Sequence, residues 1–153
     1  PGGYPELYLA ALSANRQMLQ SIRRYVESGG KLLAECGGMM YLCDEIRDKN
    51  GYVYPMAGVL HQSATMENMK LRLGYRTLLY NETRLKGHEF HYSRLVEQQN
   101  PLPSCAVAYT AKGVETDTPL YHYKNVWAGY THLYWADPVG NEWFTKFVID
   151  GNT

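Results

Sequence analysis

Long apolar runs, a dense cysteine framework and an excess of charge of one sign are all missing from this sequence. No apolar stretch reaches the roughly 18–20 residues that span a bilayer, and the opening PGGYPEL does not resemble a signal peptide. The 15 basic and 15 acidic residues cancel without any basic run, which disfavours nucleic acid and anionic membranes as partners. Three cysteines without a C-x-x-C pair disfavour a disulfide framework and a structural zinc site, so we expect a reducing, cytoplasmic setting.

Phosphate-binding motifs are missing as well. The sequence contains neither G-x-x-x-x-G-K-[ST] nor a G-x-G-x-x-G after a strand, so residues 1–153 are not expected to bind ATP or a dinucleotide. A length of 153 residues fits one domain with its own core. The 14 tyrosines are typical of a strand-rich domain and indicate no activity by themselves.

The first third of the chain has the pattern of an α/β unit. It predicts a helix, a short buried strand and a second helix, at about Leu9–Ser28, Lys31–Glu35 and Gly37–Ile46. Ser13 or Asn15 can cap the first helix, and Gly29 ends it.

The remainder predicts strands and hairpins of a mixed sheet, followed by a helix at Val139–Ile149 with Trp143, Phe144 and Phe147 on its buried side. The predicted strands are Tyr52–Leu60, Leu71–Tyr80, Glu89–Val96, Ala106–Ala111 and Asn125–Tyr134. Because a doubly wound α/β domain usually begins with a strand and this chain begins in a glycine turn, we expect it to be the later part of a larger domain.

Cys36 is the first candidate for chemistry. It stands in A-E-C-G-G, where a strand turns sharply into a helix between the small residues Ala34 and Gly38. A helix N-terminus favours the thiolate, and Gly37-Gly38 leave backbone N–H groups unshielded to receive an oxyanion. A buried packing cysteine at a tight turn fits the same pattern, as it does for Cys43 and Cys105, so the pattern alone leaves both interpretations open.

A thiolate nucleophile needs a base, and His132 is the best-placed histidine of five. If the strand that precedes it neighbours Lys31–Glu35, its C-terminal end brings the imidazole beside Cys36. His88 and His91 are predicted to point to opposite faces of a strand, which disfavours a shared metal, while His61 and His122 have the surroundings of surface residues. The glycines of Pro1-Gly2-Gly3 can supply a second oxyanion donor.

Six stretches, in the order of the chain, resemble the glutamine amidotransferase domains of the cobyrinic acid a,c-diamide synthases: PGGYPELYLAALSANRQM, AECGGMMYL, YPMAGVL, LGYRT, GHEFHYS and GYTHLYW. These are class I, or triad, glutamine amidotransferases, and the resemblance extends from Pro1 to about Trp143. PGGYPEL is more similar to the a,c-diamide synthases than to the related cobyric acid synthases. The resemblance implies a flavodoxin-like, Rossmann-like α/β fold that is truncated at its N-terminus.

The resemblance also implies an activity and its residues. In that family a cysteine attacks the side-chain amide of glutamine, forms a γ-glutamyl thioester, releases ammonia and is hydrolysed to give glutamate. The matching nucleophile is Cys36 and the matching base His132. Gly3 and the backbone after Cys36, at Gly37, match the oxyanion positions, and His91-Tyr92-Ser93 match the segment that seats the glutamine backbone.

The partners implied by the resemblance are glutamine and an N-terminal synthetase domain of the same polypeptide. That domain binds most of the corrinoid and uses ATP and Mg²⁺ to amidate the a and c carboxylates of cobyrinic or hydrogenobyrinic acid. No cofactor or metal is expected in residues 1–153, and a homodimer is compatible with the sequence. The first strands of the amidotransferase domain and the synthetase domain are expected upstream of PGGYPEL.

One position departs from the ordinary triad pattern H-P-E. The stretch here is His132-Leu133-Tyr134, so a tyrosine stands where a glutamate usually supports the imidazole, and it supplies no negative charge at neutral pH. Two alternatives stay open: the glutaminase half of a nickel-sirohydrochlorin a,c-diamide synthase, or an interaction domain of the same fold without turnover.

Overall fold

A computed structural model describes residues 1–150, with side chains up to residue 149. After a 3₁₀ turn at Pro5–Leu7, the helices are α1 Leu9–Ala14, α2 Arg16–Glu27, α3 Gly37–Leu42 and α4 Pro138–Asp150. The strands are β1 Leu32–Glu35, β2 Glu45–Arg47, β3 Val53–Pro55, β4 Ser63–Thr65, β5 Arg72–Tyr80, β6 Thr83–His91, β7 Arg94–Leu95, β8 Val107–Thr110, β9 Glu115–Thr116, β10 Leu120–Tyr123, β11 Val126–Gly129 and β12 His132–Leu133.

These strands form three sheets, with the orders β1-β11-β10, β12-β6-β5-β8-β9 and β3-β2-β4-β7. The pairs β1/β11 and β2/β4 are parallel, and the other pairs are antiparallel. The predicted mixed α/β architecture with hairpins is therefore confirmed. None of the helices within residues 1–150 combines the length and apolar character that crossing a bilayer requires.

The helical predictions are correct in place and wrong at some boundaries. The first predicted helix is divided at Asn15, whose side chain accepts a hydrogen bond from the backbone N–H of Met18 at 3.2 Å and so caps α2. Gly29, at φ +92°, ends α2 as predicted. The helix predicted for Gly37–Ile46 ends at Leu42, because residues 45–47 pair with strands on both sides as β2.

The strand predictions were less complete. β6 begins six residues before the predicted Glu89, since Asn81 and Glu82 adopt positive φ and join β5 to β6 in a two-residue hairpin. Only residues 53–55 of the predicted Tyr52–Leu60 strand form a strand. The short strands β2, β4, β9 and β10 have no counterpart among the predicted strands.

The predicted strand Asn125–Tyr134 is two strands in two different sheets. β11 pairs with β1 in parallel, with Ala34 opposite Ala128 and Glu35 opposite Gly129, which confirms the expected neighbour. β12 instead pairs with β6. The buried residues Tyr130 and Thr131 carry the chain from one sheet to the other.

Two apolar clusters fill the interior. The first lies between α2, α3 and β1, and the second lies under α4, where Trp143 and Phe147 are buried against Trp127 and Leu133. Phe144 is 36% exposed and packs against Trp135, so its predicted burial was wrong. The first cluster supports the turn at Cys36.

Candidate active site

Cys36 occupies a strained turn between β1 and α3. Its backbone lies at φ 52° and ψ −109°, a conformation that residues other than glycine rarely adopt. Its N–H donates to the carbonyl of Gly129 at 2.8 Å, and its carbonyl accepts from the N–H of Met40 at 3.0 Å. The end of β11 and the first turn of α3 therefore hold the cysteine in this conformation.

Small residues at this turn make room for the opening segment of the chain. A methyl group on Gly37 would come within 2.5 Å of the Gly3 carbonyl oxygen, and one on Gly38 within 3.0 Å of the Pro1 carbonyl oxygen. A methyl group on Gly38 would also lie 3.7 Å from the Ala34 Cβ, so the two small residues of A-E-C-G-G face each other across the turn. The glycines thus bring Pro1-Gly2-Gly3 against the start of α3.

A cleft of about 290 Å³ opens beside the cysteine. Its lining consists of the opening segment, the nucleophile candidate and side chains of β6 and β12: Gly2, Gly3, Tyr4, Cys36, His88, Phe90 and His132. The structure therefore brings together three of the predicted site residues, Cys36, His132 and Gly3. His88 and Phe90 were not assigned to the site. Their i, i+2 spacing on β6 places them on one face, but the predicted strand began at Glu89 and left His88 out.

His132 reaches the cleft through the pairing of β12 with β6. It lies opposite His88, and Leu133 lies opposite Gly87. The imidazoles of His88 and His132 stack with 5.0 Å between ring centroids. Burial, together with the nearby His88 and His91, lowers the pKa of His132 below its ordinary value. The imidazole is therefore neutral at pH 7 and has a free lone pair to accept a proton.

The electrostatics of Cys36 differ from the expectation drawn from the helix N-terminus. Burial raises the pKa of the thiol and outweighs a backbone hydrogen bond from Gly37. Together with the carboxylates of Glu6, Glu89 and Glu35 it brings this pKa to about 11. The resting residue is therefore a thiol, which donates to the Phe90 carbonyl at 3.7 Å. Nucleophilic attack from this state requires a base to take the proton.

Tyr134 stands at the position of the usual triad acid but contacts the other histidine. Its ring lies 5.8 Å from that of His88, and its backbone N–H donates to Lys86 at 2.8 Å. Within residues 1–150, the imidazole of His132 makes no hydrogen bond to a carboxylate. In the part of the chain that the structure describes, Cys36 and His132 line the same cleft and no carboxylate orients the imidazole.

The segment His91-Tyr92-Ser93 begins at the last residue of β6 and continues beyond it. His91 is buried, stacks on Tyr130 at 3.6 Å and bonds through Nδ1 to the Ser93 carbonyl at 2.8 Å. Its Nε2 lies 3.3 Å from Glu89. His91 therefore lies on the opposite side of β6 from His88 and the Cys36 cleft, as predicted for the two histidines. Ser93, two residues past the end of β6, is buried and contacts His91 through its carbonyl.

Phe90, the residue directly before this segment, lines the cleft. The Phe90 carbonyl contacts Sγ of Cys36, and Tyr92 is 37% exposed and meets the Phe90 ring edge-on at 6.0 Å. A role of residues 91–93 in seating glutamine remains a prediction.

Comparison with known proteins connects this geometry to a family. The model of the CobB/CobQ-like glutamine amidotransferase domain matches residues 1–139. The chain belongs to this family. The match includes the Cys36 turn, the β12 histidine and the opening glycine segment, so the amidotransferase domain predicted from the sequence motifs is confirmed.

The chain is also similar to individual a,c-diamide synthases. The chain is 38% identical over 140 residues to a hydrogenobyrinate a,c-diamide synthase of Stutzerimonas stutzeri, covering 91% of this chain and 32% of that protein. It is 38% identical over 140 residues to a cobyrinate a,c-diamide synthase of Caldanaerobacter subterraneus, covering 86% of this chain and 30% of that protein. A cobyrinate a,c-diamide synthase of Salmonella typhimurium is 34% identical over 143 residues, with 88% and 31% covered. The chain therefore spans about a third of the length of these relatives.

Proposed function

We propose that this domain hydrolyses glutamine to glutamate and ammonia, with Cys36 as nucleophile and His132 as base. The observation that carries the proposal is the shared cleft. It is lined by Cys36, whose backbone is strained, by the neutral imidazole of His132 and by Gly3. A buried thiol beside a neutral histidine is a pair in which the proton moves only as the substrate is attacked. This agrees with the raised pKa of Cys36.

The reaction follows from these positions. His132 takes the proton of Cys36 as Sγ attacks the side-chain amide carbon of glutamine, and the carbonyl oxygen gains the charge. Backbone N–H groups at Gly3 and Gly37 receive this oxyanion. The imidazolium protonates the departing nitrogen, ammonia leaves, and a γ-glutamyl thioester remains. Water, deprotonated by His132, then attacks the thioester and releases glutamate and the thiol.

The ammonia has a proposed destination in a second domain. Because the relatives are about three times longer, we assign the rest of their length to an N-terminal synthetase domain that binds most of the corrinoid. Residues 1–153 contain no motif for ATP, so ATP and Mg²⁺ belong to that domain in this proposal. The acceptor is cobyrinic or hydrogenobyrinic acid, amidated at its a and c carboxylates, which the names of the relatives favour over nickel-sirohydrochlorin.

The cellular setting proposed is the cytoplasm. Cys36, Cys43 and Cys105 are all unpaired, as is usual in a reducing compartment.

The test uses the full-length protein that carries this domain. Cys36→Ala should abolish amidation with glutamine as nitrogen donor and leave amidation with added ammonia at the wild-type rate. Cys105→Ala is the matched control, since this partly buried thiol also has its pKa raised to about 11 but lies outside the cleft. Continued use of glutamine by the Cys36 variant would reject the proposal.

A further inference from the structure

Glu35 links the strand of the nucleophile to the strand of the base. It is the last residue of β1 and directly precedes Cys36, and its Oε1 accepts a hydrogen bond from the backbone N–H of Leu133 at 3.0 Å. Leu133 directly follows His132 on β12. Glu35 and Leu133 lie 98 positions apart in the chain. Their hydrogen bond therefore joins the residue before Cys36 to the residue after His132.

This bond crosses between two sheets. β1 is an edge strand of the three-stranded sheet, and β12 is an edge strand of the five-stranded sheet. β12 is only two residues long and pairs with β6 on one side. The carboxylate of Glu35 binds its other edge through the backbone N–H of Leu133. The position of the imidazole relative to Sγ therefore depends on this contact.

The hydrogen bond, and not the charge, is the useful property of Glu35. Its negative charge raises the pKa of Cys36, which disfavours the thiolate. Burial raises the pKa of Glu35 itself, and the bond from Leu133 opposes this. Burial, His88 and His91 lower the pKa of His132, and Glu35 is not among the groups that shift it. Glu35 consequently does not replace the missing triad acid.

We propose that Glu35 is a positioning residue, whose side-chain oxygen fixes β12 so that His132 faces the Cys36 thiol. The proposal rests on the proposed glutaminase function. A displacement of about 1 Å in a catalytic pair lowers the rate by about 100-fold, so a hydrogen bond far from the reacting atoms has a measurable effect. An amide oxygen at the same place serves equally well as the acceptor.

Two substitutions in the full-length protein separate position from charge. Glu35→Gln keeps an oxygen that accepts from Leu133, and glutamine-dependent kcat should remain within about threefold of wild type. Glu35→Ala removes the acceptor, and kcat should fall by about 10- to 100-fold with a much smaller change in KM. Ammonia-dependent amidation should be unchanged in both variants. Glu45→Ala, at a half-buried glutamate on β2 away from the cleft, is the control for loss of a carboxylate and should keep full activity.

Each contrary outcome overturns the proposal. Equal losses in Glu35→Gln and Glu35→Ala would assign the effect to charge, and wild-type kcat in Glu35→Ala would remove the positioning role. A parallel loss of glutamine- and ammonia-dependent activity would show general destabilisation. The Cys36→Ala variant, measured alongside, tests the proposed glutaminase function by itself. If Cys36→Ala still used glutamine, the proposed function would be wrong. If only the Glu35 variants behaved unexpectedly, the positioning role alone would be wrong.

Discussion

Gly2 lies directly against the imidazole of His132. A methyl group on its α-carbon would come 2.4 Å from Cε1 and 3.4 Å from Nε2 of that ring. The backbone of Gly2 is not in the left-handed region, so its dihedral angles are compatible with alanine. The effect of a substitution therefore comes from the contact with His132. The segment Pro1-Gly2-Gly3 therefore packs against the imidazole of His132, the proposed base.

Gly2→Ala should displace His132 and slow glutamine hydrolysis by about 10- to 100-fold in the full-length protein. The substituted residue is exposed at the surface, so the free energy of unfolding should change little. Steady-state kinetics with glutamine measure the loss, and ammonia-dependent activity reports the integrity of the protein. Ser13→Ala, at a partly exposed position on α1 away from the cleft, should leave the rate unaltered. An undiminished rate in Gly2→Ala would show that His132 does not need its present position.

Because the backbone of Cys36 is strained, we expect glycine at this position to give a more stable protein than alanine, the reverse of the usual order. Glycine usually destabilises a folded chain relative to alanine, by about 0.5–1 kcal/mol. At φ 52° and ψ −109° the side chain is itself the source of strain, so Cys36→Gly should be more stable than Cys36→Ala by about 1 kcal/mol. Both variants lack the thiol and should be equally inactive. Urea unfolding of the chain measures the difference.

Cys43 provides the matched comparison for this effect. It is buried like Cys36 but has an ordinary extended backbone at φ −63° and ψ 169°. Cys43→Gly should therefore be less stable than Cys43→Ala, the normal order. If the Cys36 pair also followed the normal order, the turn would not be strained.

The sequence predicts the turn at Cys36 because that turn is local. The turn depends on neighbouring positions only: an apolar strand, a cysteine and two glycines. In the structure β1 ends directly before Cys36 and α3 begins directly after it, as predicted. His132 was placed correctly only in part, since its neighbour β11 pairs with β1 but His132 itself lies on β12. Nothing in the stretch GYTHLYW marks where one strand ends and the other begins.

Contacts between distant parts of the chain explain the remaining differences. Residues 45–47 continue a helical pattern, but pairing with β3 and β4 on both sides makes them a strand, so tertiary context overrides local preference. The bond from Leu133 to Glu35 joins residues 98 positions apart and leaves no local pattern in the sequence. The raised pKa of Cys36 has the same origin, because burial by distant elements outweighs the local helix N-terminus.

The pair His88 and His132 predicts the pH dependence of the reaction. Hydrolysis requires His132 as an acceptor, so kcat/KM for glutamine should fall with decreasing pH as this imidazole becomes protonated. Burial and then the neighbouring His88 lower the pKa of His132, so the acid limb of the profile should lie below the ordinary histidine pKa of about 6.5. The alkaline limb should be absent near neutrality, since the pKa of Cys36 is raised to about 11.

His88→Gln should move this acid limb to higher pH. The substitution removes the cationic form of the neighbour that stacks at 5.0 Å, so protonated His132 is no longer opposed by a like charge and its pKa rises. At a pH slightly below neutral the variant should therefore be slower than wild type, while at mildly alkaline pH the two should converge. His61→Asn is the control: His61 is exposed, lies outside the cleft and has a left-handed φ of 51° that asparagine accepts, so its profile should match wild type. An acid limb that stays in place or moves to lower pH in His88→Gln would contradict the electrostatic coupling, and with it the assignment of His132 as the titrating base.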